Sequence, residues 1–259
     1  MANILETKNL SKFFGGIVAC NDLTFQVEQD RITGVIGPNG AGKTTIFNLV
    51  TGVYAPTQGE IIFQGEAIGG HKPDDVVKRG ITRTFQNIRL FRNLSLLENV
   101  VVALDLRRTD YGFFTALARL PRVRRKEKEL RRVAMDYLDT VGLADRPQDR
   151  ADSLPYGLQR KLEIARALAL EPRLLLLDEP AAGMNPEESL GLADLIRRVK
   201  EQFKLTVLLI EHHMDVVMEL CDHIVVMNFG EKLAEGTPEE IQNHPAVLEA
   251  YLGEDYQRA

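Results

Sequence analysis

Nine consecutive residues, Gly37-Pro38-Asn39-Gly40-Ala41-Gly42-Lys43-Thr44-Thr45, carry the clearest chemistry in the chain. They fit G-x-x-x-x-G-K-[ST], a loop that cradles phosphate groups. Glycine at 37, 40 and 42 lets the backbone curl so that successive N–H groups point inward. A helix starting behind the loop adds its positive N-terminal end. In such a loop Lys43 reaches the β- and γ-phosphates of a nucleotide, the Thr44 hydroxyl ligates Mg²⁺, and Thr45 adds a further phosphate contact.

A second group of residues suits the same chemistry. Asp178 and Glu179 follow a run of four leucines. Two adjacent carboxylates cannot both be passive core residues, because burying charge without a partner is costly. Asp178 suits holding Mg²⁺ through the metal's water shell, and Glu179 suits a general base that polarises an attacking water. Gln86 offers a neutral amide able to contact both metal and water, and His212 could hydrogen-bond a γ-phosphate. Taken alone, each of these two is more often structural than catalytic. The order Lys43, Gln86, a helix opening at Leu154, Asp178-Glu179, His212 is what makes them informative. Phe13 and Phe14 precede Gly15-Gly16, and either one ring faces a nucleotide base or both pack in the core.

The elements needed to position these residues are visible as patterns. Arg31–Ile36 is short, apolar and β-branched, as a buried strand should be, and Thr45–Val50 reads as the helix after the loop. Residues 1–30 read as strands broken at Gly15-Gly16, with Leu23, Phe25 and Val27 alternating with polar neighbours. A strand is expected within 52–66, a helix over Pro73–Gly80, and a strand over Ile81–Phe85. From Asn87 to Asp152 helical signals dominate. A helix runs from Leu154 to Leu170 with Leu158, Leu162, Ala165 and Ala169 on its apolar stripe and Lys161 and Glu163 facing elsewhere. Leu174–Leu177, Leu205–Ile210 and His223–Met227 are buried strands, and Pro186–Gln202 is a helix. Thr237-Pro238-Glu239-Glu240 is a capping box opening a terminal helix that ends near Gly253. The expectation is an α/β P-loop core with an antiparallel β lobe (about 1–86 and 165–259) and an inserted α-helical lobe at about 87–164.

Composition narrows the function classes. At 259 residues the chain suits one large domain or a core with an inserted lobe. Thirty-two Lys and Arg against 37 Asp and Glu give a net charge of −5, which does not indicate a general nucleic-acid binder. No stretch approaches the ~18 consecutive apolar residues of a membrane span, and Met1–Lys8 has no signal-peptide apolar core. The expectation is a soluble, cytoplasmic chain that reaches a membrane only by docking to another protein. Cys20 and Cys221 have no metal-ligand spacing and read as idle thiols. Residues 107–132 hold ten Lys or Arg against three acids, either a solvated helix face or a surface drawn to anionic lipid.

Taken together, these motifs resemble the ATP-binding-cassette ATPases across nearly the whole chain. The resemblance covers Walker A at 37–45, a Q-loop at Gln86, a signature at 154–158, Walker B at 174–179, a D-loop near 182–186 and a switch histidine at His212. Thr82–Phe91, Tyr156-Gly157, Pro180–Gly183, Ile210–His212 and Glu249–Gly253 further resemble the LivG-type subunit of branched-chain amino acid importers. The resemblance implies ATP and Mg²⁺ as cofactors, with Mg²⁺ held by Thr44, Gln86 and Asp178. It implies catalysis by Glu179, His212 and Gln86, adenine stacking by Phe14, and a nucleotide contact from Gly157. It also implies two membrane permease subunits, a second cassette subunit and, indirectly, an extracytoplasmic solute-binding protein, at the cytoplasmic face of the plasma membrane. Other amino acids, amides or urea stay open as solutes. Non-transport ATPases of this fold often carry tandem cassettes or coiled coils, and this chain has neither. The apolar residues Ile88, Leu90, Phe91 and Leu94 beside Gln86 are either a permease-docking patch or core.

One departure stands out. The family signature reads LSGGQ, and here it is Leu154-Pro155-Tyr156-Gly157-Leu158. The serine hydroxyl offered to a partner's ATP is missing, and Pro155 has no N–H to give. The P-loop site is therefore expected to be intact while the contribution to a partner's site is weaker, which favours a different second cassette over a homodimer.

Overall fold

A computed structural model describes residues 2–108 and 121–257. The chain divides into two compact units, one made of 1–83 with 173–259 and the other of 84–172. Gln86 and residues 165–172, expected with the core, belong to the second unit.

The first unit contains two sheets. β1 (Asn3–Phe14) and β2 (Ile17–Glu28) pair antiparallel across the glycine turn, and β4 (Gln58–Phe63) with the short β5 (Glu66–Ala67) completes a four-stranded sheet in the order β2-β1-β4-β5. The alternation in β2 is real: Leu23, Phe25 and Val27 are buried, and Thr24 and Gln26 are exposed. The second sheet has six strands. These are β3 (Ile32–Ile36), β6 (Ile81–Arg83), β7 (Leu174–Asp178), β8 (Thr206–Ile210), β9 (His223–Asn228) and β10 (Glu231–Gly236), in the order β10-β9-β3-β8-β7-β6. All its pairings are parallel except β9–β10. Every residue of β3, β7 and β8 is buried, which explains their nearly continuous apolar sequence. Phe25, Val35, Phe47 and Leu176 lie in one core that joins the inner faces of both sheets.

The helices of this unit start and stop where the sequence requires. α1 (Lys43–Val50) follows the loop, and α2 (Pro73–Arg79) has Pro73 at its first position and ends at Gly80 in the left-handed conformation. α6 (Pro186–Phe203) and α8 (Pro238–Gln242) each carry a complete capping box, Asn185 with Glu188 and Thr237 with Glu240. α7 (Met214–Leu220) and β10 are additional to the sequence expectation. The expected single terminal helix is two, because the chain breaks at Asn243-His244 before Pro245 starts α9 (Pro245–Gln257). β6 stops at Arg83 rather than Phe85, since its pairing with β7 covers three positions and ends at Arg83–Leu176.

The second unit, described on its own, is helical. α3 (Leu96–Arg108), α4 (Pro121–Thr140) and α5 (Tyr156–Leu168) pack on one another, with a single 3₁₀ turn at Ala151–Ser153. Ser95 and Glu98 exchange hydrogen bonds to cap α3. The fully buried Asn99 gives its amide to the carbonyls of Phe91 and Ser95 and accepts the Phe91 N–H at 2.9 Å, which fixes the loop before the helix. Glu163 lies off the apolar stripe, as expected, yet it is buried, so α5 is covered on a second, polar face. Residues 109–120, the middle of the basic stretch, lie outside the described residues.

Candidate nucleotide site

β3, β8 and β7 are neighbours running in the same direction, so their carboxyl ends lie side by side, where open α/β sheets place ligands. The glycine loop leaves β3, Glu211-His212 follows β8, and Asp178 ends β7.

The loop's glycines are dictated by its geometry. Gly37 and Gly42 sit at φ 147° and 97°. A Cβ on Gly37 would stand 2.1 Å from the Met227 carbonyl oxygen, and one on Gly42 would stand 2.3 Å from that of Ala19. The β9–β10 turn backs the loop from behind, with the Gly230 N–H donating to the Ala41 carbonyl at 3.1 Å. Helix α1 begins with no side-chain cap and no acid in its first turn. The leading N–H groups of a helix have no partner within it, so such a start is a cradle for an anion. Lys43 is buried, and its ammonium donates to the carbonyls of Gly37 at 2.6 Å and Pro38 at 2.8 Å.

A pocket of about 290 Å³ opens over this loop, lined by Ile17, Val18, Ala19, residues 39–45, Glu179 and His212. Glu179 Oε1 is 2.8 Å from His212 Nε2. The Glu179 backbone is left-handed, φ 46°, and its N–H donates to the Ile210 carbonyl at 2.9 Å. Phe14 is not among the lining residues. It packs edge-on against Tyr54 with ring centres 5.0 Å apart, and the Lys12 ammonium lies 5.0 Å from its ring.

Behind these groups are two residues that sequence reasoning missed. Arg83, from the end of β6, donates to Asp178 Oδ2 at 2.6 Å and to Asn48 Oδ1 at 2.7 Å, and lies over the Phe47 ring. Both side chains of the Arg83–Asp178 pair are about 5% exposed. Glu211 is buried too. Its Oε1 accepts the Ala181 N–H at 2.7 Å, and its Oε2 accepts the His212 N–H at 2.8 Å. Glu211 therefore ties the turn after Glu179 to the histidine that Glu179 touches. The signal that singles out Asp178, a carboxylate straight after an apolar strand, is present at Glu211 as well. Arg83 carries no such signal.

The donor set also bears on a metal. No cluster of three or more His, Cys, Asp or Glu side chains able to hold an ion occurs among the described residues. Thr44 lines the pocket and brings a hydroxyl of the kind Mg²⁺ accepts, whereas Asp178 is buried against Arg83 and is not among the lining residues.

Residues 20–182 match the family model described as ABC transporter. The chain belongs to the ABC transporter family. Residues 231–257 also match a model described as branched-chain amino acid ATP-binding cassette transporter. The cassette is 47% identical over 251 residues to the high-affinity branched-chain amino acid transport ATP-binding protein BraF of Pseudomonas aeruginosa, covering 97% of this chain and 98% of that one. It is 43% identical to LivG of Escherichia coli over the same shares. Its fold matches that of a solved ATP-binding cassette of an ABC transporter in its ADP conformation, with a TM-score of 0.85 at 30% identity, covering 98% of this chain and all of the other.

The other residues expected at the site lie in the helical unit. Gln86 is exposed in the loop before α3. In the signature segment Leu154 is buried, Pro155 occupies the N-cap of α5, Tyr156 is exposed, and Gly157 is the second residue of the helix. Pro155 gives α5 no side-chain cap. Phe91 is exposed while Ile88, Leu90 and Leu94 are half-buried. Cys20 and Cys221 are buried, and burial pushes both thiols up to about 12, which leaves them unreactive.

Proposed function

We propose that this chain is the ATP-hydrolysing subunit of an importer for branched-chain amino acids. The observation that carries hydrolysis is the Glu179–His212 contact in the pocket over the glycine loop. The solute class rests on the full-length likeness to BraF and LivG. In this reading the loop's N–H groups and the Lys43 ammonium bind the phosphates, and Phe14 faces adenine on turning from Tyr54. Thr44, Asp178 and Gln86 would hold Mg²⁺, which would supply positive charge against the phosphates. Glu179 takes the proton of the water that attacks the γ-phosphorus, the bond to the bridging oxygen breaks, and ADP and phosphate leave. His212 orients Glu179 and donates toward the γ-phosphate. Such catalysis is mostly positioning and electrostatics.

The pocket takes one nucleotide from one side, so the signature of a second cassette, supplying Gly157-type N–H groups, closes it. The serine-less Leu154–Leu158 favours a different chain in that role. Two permease subunits place the pair at the cytoplasmic face of the membrane, with a solute-binding protein reached through them. Unit 84–172 is the helical lobe, and Phe91 with its neighbours is its docking surface. No described helix is long and apolar enough to cross a membrane.

Purification of the chain from its native membrane tests the reading. Recovery with two membrane-spanning proteins and a second cassette, in a complex that hydrolyses ATP and is stimulated by a binding protein loaded with leucine, isoleucine or valine, is the expected result. Recovery alone or with soluble partners overturns it.

A further inference from the structure

Arg160 is the largest fully buried side chain among the described residues. It lies one turn into α5, the helix that begins at the signature segment. Its guanidinium donates to the Phe85 carbonyl at 2.8 Å, the Gln86 carbonyl at 2.9 Å, Glu163 Oε2 at 2.6 Å and the Tyr156 hydroxyl at 3.1 Å. Glu163 Oε1 in turn accepts the N–H groups of Phe85 at 3.3 Å and Arg89 at 3.4 Å. Further along α5, Arg166 donates to the Arg89 carbonyl and lies over the Phe91 ring. The backbone on both sides of Gln86 is thus held by one face of α5, while the Gln86 residue itself is exposed. Burial raises the Glu163 pKa, and Arg160 together with the two N–H groups draws it back.

A buried ion pair is weak evidence for stability, because well-packed apolar side chains of similar size stabilise a protein as well or better. What an apolar pair cannot do is take hold of two carbonyls and two N–H groups of another segment. We propose that Arg160 and Glu163 are positioning residues that clamp the Gln86 segment to the signature helix, so that the two form one rigid element. Resting on the proposed ATPase function, this clamp makes the Gln86 segment and the signature helix move as one body during the ATP cycle. Glu163 is not a surface residue of the helix but the acceptor half of the clamp.

The test uses the full chain and the double variant Arg160→Met/Glu163→Leu, which removes both halves of the clamp together so that neither is left buried without the other. Hydrogen exchange of the amides of residues 85–89 is the deciding readout. Exchange faster by about tenfold or more, with α5 itself still protected and the melting temperature within about 5 °C of native, supports the clamp. Unchanged exchange at 85–89 in the folded variant overturns it. Should the variant not fold, Arg160→Lys, which keeps the charge but loses the fork that spans two carbonyls, is measured the same way, with the same two outcomes. In the assembled complex the clamp further predicts a kcat lower by about a hundredfold with KM for ATP little changed, since the glycine loop is untouched. An inactive native complex whose variant still shows faster exchange at 85–89 would retire the ATPase reading and leave the clamp standing.

Discussion

Glu179→Gln binds ATP as tightly as the native chain and hydrolyses it about 10²–10⁴-fold more slowly. The amide has the same size as the carboxylate and can keep the 2.8 Å contact with His212, so the pocket's shape survives. What disappears is the negative charge that accepts a proton from the attacking water. Lys43 and the loop's N–H groups, which carry nucleotide binding in the proposed mechanism, lie on a separate segment and are untouched. Phosphate release by the assembled complex at saturating ATP, with nucleotide binding measured alongside, checks this. A rate within about tenfold of native would show that Glu179 is not the base and that proton transfer, which is worth at least a hundredfold where it operates, goes elsewhere.

Arg83→Ala lowers the stability of the chain by about 3–5 kcal/mol. Asp178 would remain buried with its 2.6 Å partner gone, and an uncompensated interior charge costs far more than the pair contributes when intact. The lost bond to Asn48 and the lost contact with the Phe47 ring add to the same side. The melting temperature should fall by about 6–10 °C. Added salt should change the difference little, because a buried pair is poorly screened. The double variant Arg83→Ala/Asp178→Asn should recover much of the loss, since an amide is cheaper to bury than a carboxylate. A drop of less than about 1 kcal/mol for Arg83→Ala would mean that Asp178 finds water or another cation in its place.

The residues that proved readable are those whose neighbours in sequence are also their neighbours in space. The glycine loop, the strand before it and the helix after it form one local unit, so spacing alone outlines it. Asp178 and His212 are readable because a polar residue after a buried strand must lie at a sheet edge. Arg83 is not, because its partner is 95 residues away and no periodicity links them. That the Glu163 face is buried as well is hidden for a related reason. A helical stripe shows which side meets apolar neighbours, but α5 also meets the backbone of 85–89, and polar groups there need charged side chains to satisfy them. β10 went unseen because it pairs only with β9 and reads Glu-Lys-Leu-Ala-Glu-Gly, the polar pattern of an edge.

The backbone of Glu179 has one more consequence. A left-handed conformation costs a residue with a side chain about 1–2 kcal/mol, and glycine largely escapes that cost. Glu179→Gly should therefore melt no lower than the native chain while losing turnover altogether. A lower melting temperature would show that the His212 contact outweighs the backbone cost. A library screened only for heat resistance would drift toward glycine at this position and return a sturdier protein that no longer works. The cassette keeps its glutamate because selection in the cell acts on transport, and thermal endurance is traded away at this one residue.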